Sequence, residues 1–167
     1  MNIVIRQTGA ADVHTISEIL IEAESWLEKR GIPLWNVHDL SEESLREDVA
    51  SGLYILADTN GKSAGTLKYT MTDPLCWPDA HDGESAFVHR VAVRRDYAGG
   101  TVSTAMLKWA VDHTRVLGRR FLRLDCEISR NKLREIYERF GFQYHSDKHI
   151  GPYHVARYEY TVLKMAT

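Results

Sequence analysis

The segment from Phe87 to Cys126 constrains the fold more than any other part of the chain. Phe87 to Val93 is a mostly apolar run of strand length, and it leads into Arg94-Arg95-Asp96-Tyr97-Ala98-Gly99-Gly100. Val102, Ala105, Met106, Trp109, Ala110, His113 and Leu117 then recur at helical spacing, with Gly118 to close the stripe. Phe121 to Cys126 returns to strand. Strand, long helix and strand in this order make a βαβ unit, whose two strands are expected to run parallel.

The flanking sequence supplies the rest of a sheet and its helices. Asn2 to Arg6 reads as a short strand, and Ile16, Ile19, Leu20, Ala23 and Leu27 mark an amphipathic helix stopped by Gly31 and Pro33. Ser41 with Glu42 and Glu43 predicts an N-cap and an acidic first turn, opening a second helix to about Ala50. Leu53 to Ala57 and Thr66 to Met71 are strand-like, joined through the hairpin dipeptide Asn60-Gly61. Gly65 inside the second arm marks a bulge or a close backbone approach. Asp73-Pro74 and Trp77-Pro78-Asp79 make Thr72 to Gly83 a loop. Leu133, Ile136, Tyr137 and Phe140 predict one more short helix, ended by Gly141, and strands follow at about Phe142 to Ser146 and Val155 to Leu163. The expected order is β–α–α–β–β–β–α–β–α–β–β.

With 167 residues, the chain can bury one core without disulfides or a structural metal, and residues 1–167 read as a single domain. A formal net charge of −2 and the absence of a basic recognition helix argue against nucleic-acid binding. The local basic excess at Arg94, Arg95, Arg119, Arg120 and Arg123 suits a small anionic ligand better. Cys76 and Cys126 are far apart and form no CxxC pair, and His145, His149 and His154 carry no recognised ligand spacing, so no metal is expected. No signal-peptide pattern and no bilayer-length apolar run is present, and a cytoplasmic protein without membrane association is the expectation.

Val88-His89-Arg90-Val91-Ala92-Val93, Asp96-Tyr97-Ala98-Gly99, Leu122-Arg123-Leu124-Asp125-Cys126 and Tyr137-Glu138-Arg139-Phe140-Gly141-Phe142 occur in register. Together with the element order, they give the chain a sequence that resembles the GNAT N-acetyltransferase family over essentially its whole length. The resemblance implies an α/β fold of the acyl-CoA N-acyltransferase kind, a mixed central sheet of about six to seven strands with four helices. It implies acetyl-CoA as acetyl donor and a primary amine, on a small molecule or a peptide, as acceptor. A covalent enzyme intermediate is not required.

A glycine-containing turn that feeds a helix presents backbone N–H groups at the positive end of the helix dipole, which suits the pyrophosphate of CoA. Ala98, Gly99, Gly100, Thr101, Val102, Ser103 and Thr104 are the stretch that offers this. The family's signature there is Gln or Arg, two residues, Gly, one residue, then Gly or Ala. Here the first position is Ala98 and the two later ones are Thr101 and Ser103, whose hydroxyls are candidate phosphate donors. A non-catalytic module of the same fold, with an altered ligand turn, is therefore the alternative to an enzyme. The resemblance assigns Val91, Ala92 and Val93 to the thioester oxygen and the pantetheine arm, Asn131 to a cofactor contact, and Tyr137 to protonation of the leaving thiolate. The amine must lose a proton before it attacks, and Glu84, His89 and Glu127 are the candidates to take it. Trp35 and Trp77, with Asp73, Asp79 and His81, are candidates to line an acceptor pocket for a cationic amine. The closing strands offer an edge on which a homodimer could form.

Overall fold

A computed structural model of the chain describes residues 1–164. Its elements are β1 (Ile3–Gln7), α1 (Val13–Lys29), α2 (Glu42–Ala50), β2 (Tyr54–Thr59), β3 (Lys62–Thr70), β4 (Ser85–Val93), α3 (Thr101–Val116), β5 (Phe121–Glu127), α4 (Asn131–Phe140), β6 (Gln143–Ile150) and β7 (Tyr153–Thr161), with three short 3-10 turns. The order matches that read from the sequence. Seven strands form one mixed sheet in the order β1-β2-β3-β4-β5-β7-β6. β4 and β5 pair in parallel, as a βαβ unit requires. β1–β2, β2–β3, β5–β7 and β6–β7 pair antiparallel.

The chain divides into two compact units. The first comprises residues 1–68 and 90–107. Its core joins Ile16, Ile19, Leu20 and Ala23 of α1 to Leu45 and Val49 of α2 and to Tyr54 and Leu56 of β2. Ser41 caps α2, its hydroxyl accepting the Ser44 amide at 3.2 Å, as the acidic first turn suggests. Asn60 and Gly61 both take positive φ, the geometry of a tight hairpin turn. The β2–β3 register shifts between Ala57 and Asp58, one step from Gly65. A Cβ on Gly65 would lie 2.9 Å from Val102 Cγ1, 3.0 Å from the Ala92 carbonyl and 3.1 Å from Met106 Cε. The missing side chain is thus what lets the first turns of α3 lie against the strands.

The second unit comprises residues 69–89 and the chain from Lys108. Tyr137, Phe140, Phe142, Tyr158 and Tyr160 form an aromatic cluster with ring centroids 5.6–6.3 Å apart in edge or tilted contacts. Ile136, expected in the buried stripe of α4, is 47% exposed, so the buried face of that helix is narrower than its apolar spacing suggests. α3 ends at Val116, and Leu117 lies beyond it, 45% exposed. β6 extends to Ile150 rather than Ser146 because it is an edge strand with polar residues on both faces, which conceals its period in the sequence.

Candidate functional site

The turn from β4 into α3 belongs to the first unit. A 3-10 turn at Arg95–Tyr97 ends on an extended Ala98, and Gly99 and Gly100 follow with φ of +133° and +97°. Nothing lies within 4 Å of a Cβ built on either, so backbone conformation, not crowding, calls for glycine there. The first backbone bond of α3 runs from Thr104 N to Gly100 O at 2.9 Å. The amides of Thr101, Val102 and Ser103 precede that ladder, at the positive end of the helix. Val102 is buried and anchors the turn, whereas Thr101 and Thr104 are exposed. Ser103 Oγ donates to the Gly100 carbonyl at 3.1 Å. Its hydroxyl is engaged within the turn, which leaves backbone amides as the turn's main donors. An anion such as a pyrophosphate fits this terminus.

Within β4, Arg90 takes φ of +52°, a conformation that strains a residue with a side chain. Its guanidinium donates to the Tyr54 hydroxyl at 3.1 Å. Val91, Ala92 and Val93 follow it, with only Ala92 buried. The ladder between β4 and β5 covers Ser85–Phe87 against Phe121–Arg123 among the described residues, so the second half of β4 lies outside it.

In the second unit, His89 meets two acids. Thr70 Oγ1 lies 2.9 Å from His89 Nε2, and Asp73 Oδ2 lies 4.0 Å from His89 Nδ1. One ligand-type atom each from Asp73, His89 and Asp125 lies within 4.8 Å of the others. Asp73 Oδ1 accepts the Cys76 amide at 3.0 Å, which folds the loop back over the strands. Burial and the neighbouring Asp73 push the Asp125 carboxyl up to about 6, while the Cys76 thiol and Arg157 pull it down. The same burial, with Asp125 and Asp73 beside it, raises the Cys76 thiol. Asp125 did not stand out in the sequence. The available signal was a lone acid among Leu122, Leu124 and Cys126 in a buried strand, on the same face as Arg123.

Trp77, a candidate to line an acceptor pocket, is 3% exposed. Arg123 and Arg157 lie with their guanidinium carbons 4.7 and 4.5 Å from its ring centroid. Arg157 also holds Asp79 at 2.7 Å and keeps that carboxyl below the usual carboxylate range. His81 is exposed. Trp35 belongs to the first unit and is half-buried against the α1–α2 core. Its amide and that of Leu34 donate to the buried Glu24 carboxylate at 3.0–3.1 Å.

Tyr137 projects from α4 into the aromatic cluster and is 6% exposed. Burial raises its phenol, and Cys126 and Asp125 add to the effect, so the O–H is retained at neutral pH. Asn131 opens the same helix and is exposed. Glu84 is not brought to this region. Its carbonyl accepts the Arg120 and Phe121 amides, and its carboxylate lies 3.8 and 3.9 Å from Arg120 and Arg123. Cys126 lies three residues beyond Arg123 along β5, roughly 10 Å at the usual rise per residue. Glu127 lies at the far end of that strand, 3.7 Å from Arg130 Nε and 41% exposed.

Comparison with known proteins agrees with this architecture. The model of the acetyltransferase (GNAT) family matches residues 16–142. An uncharacterized N-acetyltransferase of Bacillus subtilis (strain 168), YesJ, is 25% identical over 144 residues, covering 80% of this chain and 77% of that protein. Among solved structures, an acetyltransferase of the GNAT family from Listeria monocytogenes 4b F2365 is 25% identical with a TM-score of 0.77, covering 94% of each chain. Salmonella typhimurium yncA, solved with its cofactor acetyl-CoA, is 16% identical with a TM-score of 0.75, covering 100% of this chain and 98% of that one.

Proposed function

The chain belongs to the GNAT family of acetyltransferases, and on that footing we propose that it transfers an acetyl group from acetyl-CoA directly to a primary amine. The observation that carries this reading is the amide array ahead of α3, opened by two glycines in the left-handed region. Acetyl-CoA supplies an activated thioester. The backbone amides of Thr101, Val102 and Ser103 hold its pyrophosphate, and the peptide dipoles of α3 favour the negative charge. The departure from the family signature at Ala98, Thr101 and Ser103 is tolerable because backbone groups, not those side chains, make the cradle.

The Val91 amide is assigned to the thioester oxygen, where negative charge develops, and Ala92 and Val93 to the pantetheine arm. An acceptor amine arrives largely as an ammonium. His89, steadied by Thr70 and flanked by Asp73 and Asp125, is the group we assign to remove its proton. Glu84 faces Arg120 and Arg123 at 3.8 and 3.9 Å, and Glu127 faces Arg130 at 3.7 Å, so His89 is preferred to either. The Tyr137 O–H then protonates the departing sulfur. Burial holds the Tyr137 phenol in its protonated form, the form that can donate.

Initial rates of CoA release with a panel of primary amines test the assignment. With any amine that turns over, Tyr137→Phe is expected to lower kcat by roughly 10²-fold or more at little change in KM for the amine. An unchanged kcat would remove Tyr137 from the chemistry and leave it as part of the aromatic cluster.

A further inference from the structure

We propose that Asp73, His89 and Asp125 form a binding site for a divalent zinc ion. Their ligand-type atoms lie within 4.8 Å of one another, and the His89 Nδ1–Asp73 Oδ2 separation is 4.0 Å. Tetrahedral zinc with bonds near 2.1 Å holds its ligands about 3.4 Å apart, so contraction by less than ~1 Å per side chain closes the triad. Asp73 points to an occupant independently of that clustering. Its side chain is 7% exposed, and Oδ2, the oxygen facing His89, has no hydrogen-bond partner although it is shut off from water. A buried carboxylate oxygen without a donor is costly, and a metal ion would satisfy it.

The neighbouring charges do not do so. Arg157, a cation that acts on Asp125, already spends its guanidinium on Asp79 at 2.7 and 3.3 Å and on Ser146 at 2.9 Å. The donor set also selects the metal. An imidazole beside two carboxylates argues against calcium and magnesium, which prefer oxygen alone, and suits zinc. Zinc bound there would occupy the imidazole that we assign to the amine proton and would silence transfer. That consequence rests on the proposed function; the binding itself does not.

Calorimetric titration of tag-free, chelator-treated protein with zinc chloride tests the site without any acetyl transfer. One equivalent per chain is expected, and Asp125→Asn and His89→Gln should each weaken binding by 10-fold or more. A second cluster, the exposed Asp147, His149 and His154, serves as the control. His154→Ala should leave the affinity unchanged. Zinc-edge anomalous diffraction from soaked crystals provides a readout that does not depend on any variant folding, with the peak expected between Asp73, His89 and Asp125. No heat at 1 mM zinc, loss of binding in His154→Ala alone, or a peak only at the exposed cluster would overturn the proposal. Zinc binding by a protein that transfers no acetyl group even when freed of metal would preserve it and count against the catalytic reading instead.

Discussion

Asp12 accepts the Gly9 amide at 2.9 Å and receives two nitrogens of Arg6 at 2.9 and 3.0 Å, tying β1 to the start of α1. The Arg6 guanidinium holds the Asp12 carboxyl below its ordinary value. The contribution is therefore fully present above the unfolded carboxyl's range, near pH ~4, and is lost as pH falls through the lower folded value. Solvent screens the pair, so about 0.5–1 kcal/mol is expected from it. Asp12→Asn should lower the melting temperature by roughly 2–4 °C at pH 7. That gap should narrow as the pH is taken from 4 towards 2, and a gap that persists there would contradict the assignment. Glu24 acts by burial instead: its carboxylate is 1% exposed and accepts the Leu34 and Trp35 amides. Glu24→Gln turns one acceptor into a donor facing an amide, and a loss of about 1–3 kcal/mol in denaturant unfolding is expected. An unaltered midpoint would show that those amides find other partners. Glu24 and Asp125 both escape a reading of the sequence, because periodicity reports which residues are apolar and not where an acid finds its donors.

Helices and strands were legible where one face is apolar and the other is not. α1, with Ile16, Ile19, Leu20 and Ala23, and α3, with Val102, Met106 and Ala110, follow from spacing alone. β6 does not, since an edge strand with His, Asp and Lys along it has no buried face to set a period. Gly65 was legible as an anomaly, and the structure gives its cause as close approach beside a register shift. Gly65→Ala is expected to cost roughly 1–3 kcal/mol, because Val102 Cγ1 can shift but the Ala92 carbonyl is backbone. Thermal melts would check this, and an unchanged melting temperature would mean that α3 is not held by this contact. As Val102 carries one of the amides we propose to hold the pyrophosphate, the same variant should also weaken acetyl-CoA binding.

At the scale of the molecule, the element order was legible because a βαβ unit, a hairpin dipeptide and two closing strands leave few arrangements of one mixed sheet. The meeting of Asp73, His89 and Asp125 was not, since they come from a loop and two strands that only the folded chain brings together. No helix among the described residues is long and apolar enough to cross a membrane. Which acceptor is used depends on the side chains that surround it, and one fold accommodates many of these. The account depends most on the turn before α3, and calorimetric binding of acetyl-CoA to the wild type and to Thr101→Glu tests it directly. An acid in the first turn suits the helix dipole, so the variant should fold, while its charge repels a pyrophosphate at the same amides. The account predicts micromolar affinity, about −8 kcal/mol, for the wild type and at least a tenfold loss in the variant. No binding by the wild type at millimolar acetyl-CoA, or equal binding by both proteins, would contradict it.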